Sequence, residues 1–275
     1  MSVKCISEWS CLTLLIILIV VSHLKIAQPF QRGFFCDDET IRYPYVPNQT
    51  VPAGLLLTLC IPIPILIVFI LENHKKVWKC WQIRFWTNFG NVVSPFVFGT
   101  VITYLFAQTC KLTIGRLRPH FVDVCHPSFN YTIDGVTNQT FTMTLDNFHK
   151  CPHTQYITDY VCKTELTSTI TQARFSFFSG HSSSIAFSMV FICLVLKNSK
   201  LMTKHRIPTT CFQAILISLA LFTACSRISD YWHHWQDVIA GLIVGTLTAI
   251  LTHTFVHQEK LRKFNVQLND LEAGK

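Results

Sequence analysis

Residues 52–71 read PAGLLLTLCIPIPILIVFIL, twenty residues without a charge. A bilayer's hydrocarbon core is about 30 Å thick and takes about 20 helical residues to cross, so this stretch has the length and composition of a transmembrane helix. Pro62 and Pro64 would break a helix in water, but inside a bundle neighbouring segments can take up the carbonyls they free. Working outward, five further stretches read the same way, at about 9–27, 89–110, 182–197, 208–226 and 238–257. The one at 182–197 is short and opens on three serines. The first has an alternative reading as a cleaved signal peptide with MSVK as its basic start, although no small-x-small cleavage site follows and its removal would leave an odd number of spans. Composition agrees with lipid as the solvent. Half of the 275 residues are hydrophobic and 14% are charged, against about 25% in soluble domains, which argues against a water-soluble enzyme and rules out intrinsic disorder. The expected fold is all-α, a polytopic membrane protein with six transmembrane helices in a single domain over residues 1–275, with cytosolic tails at 1–8 and 258–275.

Lys and Arg near the spans set the orientation, because cytoplasmic loops are enriched in them. Lys75, Lys76, Lys79 and Arg84 follow the second span, Lys197, Lys200, Lys204 and Arg206 follow the fourth, and Lys260, Arg262 and Lys263 lie in the C-terminal tail. These segments read as cytosolic, as do both termini. The loops at about 28–51, 111–181 and 227–237 then face the outside or a lumen, with Asp37, Asp38 and Glu39 offsetting their basic residues. Three glycosylation sequons, at Asn48, Asn130 and Asn138, all fall in those loops. So do four of the 12 cysteines, Cys36, Cys125, Cys151 and Cys162, in a compartment where disulfides persist. Cys151 with Cys162 is the preferred bridge, being ten residues apart in one polar loop; sequence does not fix the pairing, and free thiols remain the alternative. No CxxC or HExxH pattern is present, so no metal is indicated.

The chemistry is concentrated where outer loops meet spans. Lys111, Arg116 and Arg118 follow the third span, His181 precedes the fourth, Arg227 follows the fifth, and His233 and Asp237 precede the sixth. Ionisable groups beside hydrocarbon are costly and are kept for pairing or function. A basic end that merely snorkels to headgroups belongs on the cytosolic side, and this cluster is on the opposite one. Lys111 and Arg118 are seven residues apart, two helical turns, so both would project from one face of a continued third helix that Pro119 ends, with Arg116 pointing elsewhere. An ammonium and a planar guanidinium together suit a phosphate. Ser179 can cap the fourth helix, and Gly180 lets an anion approach the free N–H groups and dipole of its first turn. His233 and Asp237, four apart, are an imidazole with a carboxylate to orient it, leaving the other ring nitrogen free to attack; His234 and Asp230 lie on other faces.

These residues carry a resemblance to a known family. Lys111 to Pro119 (KLTIGRLRP), Phe178 to His181 (FSGH) and Ser226 to Asp237 (SRISDYWHHWQD) resemble, in order and spacing, the motifs KxxxxxxRP, PSGH and SRxxxxxHxxxD of the type 2 phosphatidic acid phosphatase superfamily. Arg32 to Cys36 with Tyr43-Pro44-Tyr45, and His233-His234-Trp235, are similar to its integral-membrane lipid phosphate phosphatase branch. The resemblance runs from about residue 29 to 257 and departs in having Phe178 where the broad superfamily has Pro. The loop at about 121–173 also reads as longer than usual, leaving its bearing on substrate choice open.

The resemblance implies that His233 takes the phosphoryl group as a phosphohistidine, that Asp237 positions it, and that His181 protonates the leaving alkoxide and then activates water. Lys111, Arg118 and Arg227, with Ser179 and the Gly180 amide, would form the cage around the phosphate. No metal or other cofactor is implied, since three fixed cations supply the charge that magnesium supplies elsewhere. The expected substrates are lipid phosphate monoesters, namely phosphatidate, lysophosphatidate, sphingosine 1-phosphate and ceramide 1-phosphate, met at the outer or luminal leaflet, with the plasma membrane as the location. Three other readings stand beside this one: a luminal phosphatase for a soluble phosphomonoester, an inactive lipid-binding relative, and a channel or carrier, which would need polar residues inside spans that hold almost none. Gly241 and Gly245 would allow close helix contact, either with a second copy in a homo-oligomer or within the chain.

Overall fold

The computed structural model describes residues 13, 17, 29–73, 83–133, 136–151, 156–165, 167–199 and 204–272. Five of its helices are long and apolar enough to cross a membrane, over Ala53–Leu71, Val92–Ile114, Gly180–Asn198, Arg206–Ser229 and Trp235–Phe255, matching the second to sixth expected spans. The expected span at 9–27 lies outside the described residues apart from Thr13 and Ile17. In chain order the elements are β1 (Phe34–Phe35), α1 (Ala53–Cys60), α2 (Pro62–Asn73), α3 (Ile83–Ile114), α4 (Phe121–Cys125), β2 (Pro127–Ile133), β3 (Val136–Thr142), β4 (Tyr156–Ile157), β5 (Val161–Cys162), α5 (Thr167–Gln172), α6 (Gly180–Asn198), α7 (Arg206–Ser229) and α8 (Trp235–Glu272). The stretch from residue 258, expected to be a tail, continues α8 as helix to Glu272.

Pro62 and Pro64 divide the second span into α1 and α2 at Ile61. Pro64 has no N–H for the Cys60 carbonyl, and the Ser188 hydroxyl of α6 donates to that carbonyl instead, at 2.9 Å. A lipid-facing break would leave the carbonyl without a partner; here the neighbouring helix supplies one.

Helix α6 is the axis of the bundle, in contact with α1, α2, α3, α7 and α8. It is apolar on every side, and Ile185, Phe187, Met189, Phe191, Ile192 and Leu196 are all buried. Phe96 of α3 stacks on Phe187 at 5.5 Å between ring centroids and lies tilted against Phe191 at 5.3 Å. The outer helices leave Leu57, Leu66, Leu221, Phe222, Leu247, Leu251 and Phe255 exposed, as a surface bathed in acyl chains would. Gly241 and Gly245 bring α8 onto α6 within the same chain: a Cβ at Gly241 would stand 2.6 Å from the Ser179 carbonyl oxygen, and one at Gly245 would overlap the Ser183 carbonyl. Of the two roles open to this glycine pair, packing within the chain is the one observed.

The long outer segment is not an irregular loop. Against the all-α expectation it carries two small antiparallel sheets, β1 with β4 and β3-β2-β5. Tyr131, Thr132, Thr137, Thr140, Phe141 and Thr142 give its strands the β-branched and aromatic content that suits pleated pairing. A second apolar cluster, including Phe34, Phe121, Val122, Phe129 and Met143, lies beneath them. The expected Cys151–Cys162 bridge is not formed. Cys36 bonds Cys151 and Cys125 bonds Cys162, with Cα separations of 5.8 and 4.6 Å. Sheet pairing is the reason: Pro127 opposite Cys162 sets β5 beside the end of α4, where Cys125 lies, and β1 against β4 carries Cys36 into the same cap. Asn48 and Asn130 are exposed, and the Asn138 side chain lies outside the described residues.

Candidate active site

Three chain segments bring the ionisable residues together at one end of the bundle. Lys111 occupies the last turn of α3. The helix does not run on to Pro119 as expected: it ends at Ile114, and Gly115 follows with φ +57°, a left-handed turn in which its N–H donates to the Lys111 carbonyl at 3.3 Å. A Cβ at Gly115 would collide with the Phe30 carbonyl, so the turn requires glycine twice over. Arg118 therefore reaches the site from an irregular segment, fixed by its own N–H to the Ala173 carbonyl at 2.8 Å.

Ser179 caps α6 as expected, its hydroxyl accepting the Ser182 N–H at 3.4 Å and its own N–H donating to the Asp237 carbonyl at 3.0 Å. Gly180 follows, and a Cβ there would lie 3.3 Å from Lys111 Nζ, so the ammonium occupies the space that the missing side chain leaves. His181 lies in the same first turn, beside the Val51 backbone, and its Nε2 is buried without a hydrogen-bond partner among the described residues.

The third segment turns sharply between α7 and α8. Tyr231 adopts φ +58° and stacks on Tyr43, and the Arg227 carbonyl accepts both the Trp232 N–H at 3.0 Å and the His233 N–H at 3.1 Å. His233 thus precedes α8, which begins at Trp235, and does not share a helical face with Asp237. Its Nδ1 donates to the Ser176 carbonyl at 2.7 Å. That bond places the proton on Nδ1 and leaves the Nε2 lone pair available. Asp237 Oδ2 stands 4.0 Å from Nδ1, too far for a hydrogen bond. The carboxylate instead takes Arg116 Nη1 at 2.6 Å, the Ser176 hydroxyl at 2.5 Å and both the backbone N–H and Nδ1 of His234 at 3.2 Å.

Two expectations are corrected here. Arg116, placed away from the cluster by helical geometry, turns inward because the helix has already ended. His234, placed on another face, bonds the carboxylate that was assigned to His233.

The two guanidinium groups differ. Arg227 is committed to Asp230 and Gln49, each at 2.7 Å, and to the Ser226 hydroxyl. Arg118 is 6% exposed yet only Nη2 is bonded, to the Phe175 carbonyl at 3.4 Å, while Nε and Nη1 have no partner among the described residues. Burial, then repulsion from Arg227, lowers Arg118 to about 9, with Asp237 opposing. Burial, then the charges of Arg118 and Lys111 and the adjacent His181, hold His233 well below the usual histidine range, so its ring is neutral. A neutral imidazole with a free lone pair, a second imidazole and unpartnered cationic donors can receive an oxyanion and attack its centre.

Gln49, Thr50, Ser176 and Trp232 belong to this network and went unseen in the sequence. Thr50 donates from both backbone N–H and hydroxyl to Asp230, which in turn holds Arg227. The scarcity of charge offered one signal: in so apolar a chain Asp230 and Arg116 each needed a partner near the boundary. Nothing in the sequence pointed to the Ser176 carbonyl. Among the described residues no group of three or more His, Cys, Asp or Glu could hold a metal ion.

Comparison with known proteins follows the same residues. Residues 92–261 match the PAP2 superfamily, a span that holds Lys111 to Pro119, Phe178 to His181 and Ser226 to Asp237. The chain is 33% identical over 236 residues to phospholipid phosphatase 1 of Mus musculus, covering 83% of this chain and 76% of that protein. It is 30% identical over 262 residues to phospholipid phosphatase 2 of Homo sapiens, covering 90% and 83%. A Drosophila melanogaster relative is 30% identical over 258 residues, covering 86% of this chain, which spans 64% of that protein's length. No solved structure matches the chain. With its three motifs gathered at one end of a helical bundle and this extent of identity, the chain belongs to the PAP2 superfamily, within its phospholipid phosphatase group.

Proposed function

We propose that the protein is an integral membrane phosphatase that releases phosphate from lipid phosphate monoesters at the outer or luminal leaflet, through a phosphohistidine on His233. The observation that carries this reading is the neutral His233, Nδ1–H tied to Ser176, beside Nε and Nη1 of Arg118 and Nε2 of His181, which have no partner among the described residues. The names of the mouse and human relatives point the same way.

In the proposed reaction Lys111, Arg118 and Arg227 hold the equatorial oxygens, with help from the N–H groups that open α6. The Nε2 lone pair of His233 forms the P–N bond as the P–O bond to the lipid breaks, and His181, having taken the proton that the phosphate monoanion brings, gives it to the departing alkoxide. Neutral His181 then takes a proton from water, whose oxygen displaces His233 and forms inorganic phosphate. Asp237 keeps the assembly in register through Ser176 and Arg116.

Sidedness is supported by the two disulfides, which share the cap over the site and need an oxidising compartment. Glycans at Asn48, Asn130 and Asn138 would decorate that same side. A sixth span at 9–27 would put both termini in the cytosol, and the family resemblance implies the plasma membrane. Phosphatidate, lysophosphatidate, sphingosine 1-phosphate and ceramide 1-phosphate share the headgroup chemistry this cage suits, their chains remaining in the bilayer.

The reading is tested with protein purified in detergent and assayed on phosphatidate with EDTA present. Wild type releases phosphate and His233→Ala does not. Equal activity in the variant overturns the assignment.

A further inference from the structure

Arg118 is a buried cation held in an unusual way. Among the described residues no carboxylate bonds it, although Asp237 is near enough to act on its charge. Its guanidinium instead lies over the Trp232 ring, with Cζ 4.6 Å from the ring centroid. Trp232 is 7% exposed and fixed on every side: Nε1 donates to the Val46 carbonyl at 3.0 Å, His120 meets the ring edge-on at 5.2 Å, and Tyr45 lies tilted against it at 5.8 Å. His120 is itself anchored by Nδ1 to the Tyr231 carbonyl at 2.8 Å, and burial, then the Arg118 charge, brings it down to about 4, so it adds no competing positive charge.

We infer that Trp232 is a positioning residue for the phosphate cage, its indole face holding the Arg118 guanidinium in place while leaving that group's in-plane donors free. The inference rests on the proposed role of Arg118 in phosphate binding. A guanidinium has five N–H donors, all in one plane, and a carboxylate partner consumes two of them and cancels the charge. A π-face attracts the cation from above the plane and consumes none. Arg227 shows the other arrangement in the same site, with Nε, Nη1 and Nη2 all engaged. Of the two, Arg118 keeps more of its donors free for phosphoryl oxygens, and an aromatic support is the kind that permits it.

The test replaces Trp232 in the full-length, detergent-solubilised protein by Phe and by Leu, and also introduces mono-, di- and trifluorinated tryptophan at position 232, which weakens the π-face at almost constant shape. Affinity for orthovanadate, as a competitive phosphate mimic, is read beside kcat, KM and thermal stability. The expected result is a graded rise in the vanadate inhibition constant with fluorination, up to about tenfold, with little change in melting temperature. Trp232→Phe should lose less vanadate affinity than Trp232→Leu. An inhibition constant that does not move across the fluorinated series overturns the inference, including when Trp232→Leu fails to fold, since indole shape alone would then suffice. His233→Ala, assayed in parallel, separates the two levels: an active His233→Ala defeats the underlying reading of the site, whereas an inactive one beside a flat fluorination series defeats only the role of Trp232.

Discussion

His233 Nδ1 donates to the Ser176 carbonyl at 2.7 Å, while Asp237, whose oxygen is 4.0 Å from that nitrogen, bonds the Ser176 hydroxyl. The carboxylate thus reaches the imidazole through a serine that offers one face to each. Ser176→Ala keeps the carbonyl and removes the hydroxyl, so kcat should fall about tenfold with KM nearly unchanged, consistent with about 1.5 kcal/mol for a hydrogen bond to a charged group. Arg116→Ala removes the 2.6 Å ion pair from the same carboxylate and should act in the same direction. Because both act through Asp237, the double variant should lose less than the product of the two single losses. Wild-type kcat in both single variants would show that the network does not position His233.

Two glycines should fail in different ways. An added methyl at Gly180 stands 3.3 Å from the mobile end of Lys111, which can shift, whereas one at Gly245 overlaps the Ser183 carbonyl and lies 3.0 Å from the Phe187 nitrogen, both rigid backbone. Gly245→Ala should therefore force α8 away from α6 and cost about 1–3 kcal/mol, read as a lower melting temperature in detergent. Gly180→Ala should keep the melting temperature and weaken orthovanadate inhibition by displacing the ammonium. The opposite pattern would mean that Gly180 serves packing and Gly245 does not.

The disulfides separate by partner. Cys36→Ser and Cys151→Ser should destabilise equally, with the double variant no worse than either, and Cys125 with Cys162 should behave likewise. Each loss should cost about 2–5 kcal/mol. Peptide mapping without reduction should recover residue 36 linked to 151 and residue 125 linked to 162, and a 151–162 linked peptide would refute this connectivity.

Buried His120 makes stability depend on pH. Its folded value of about 4 lies below the unfolded value of about 6.5, so acid favours the unfolded chain. Its contribution is fully present above pH about 6.5 and is lost as pH falls toward 4, by at most about 1.4 kcal/mol per unit. His233, also held low, adds in the same direction. His120→Phe should flatten the acid limb of the melting-temperature profile between pH 6.5 and 4. An unchanged slope would show that His120 does not titrate with unfolding.

The second to sixth spans could be read from the sequence because lipid imposes length and composition locally, and the apolar spans within the helices follow those limits within a few residues. The positions of Lys111, Ser179 and Gly180 were equally legible, since a helix end and a cap depend on neighbours in sequence. What was not legible depended on where α3 stops. Reading it on to Pro119 pointed Arg116 outward, whereas the turn at Gly115 brings it to Asp237. The same limit applied to Ser176, whose carbonyl carries no side-chain signature, and to the cysteines, whose pairing follows the register of strands that a polar loop concealed. Local rules gave the elements, and contacts across more than 50 residues gave the network.

The central claim is that the phosphoryl group passes through His233. Rapid acid-free quenching of the full-length enzyme with phosphatidate radiolabelled in its phosphate tests it most directly, followed by peptide mapping. The account predicts an alkali-stable, acid-labile label on the peptide containing residue 233, absent from His233→Ala and prolonged in His181→Ala if loss of the base slows hydrolysis. Label confined to another residue, or turnover by His233→Ala at the wild-type rate, would contradict it.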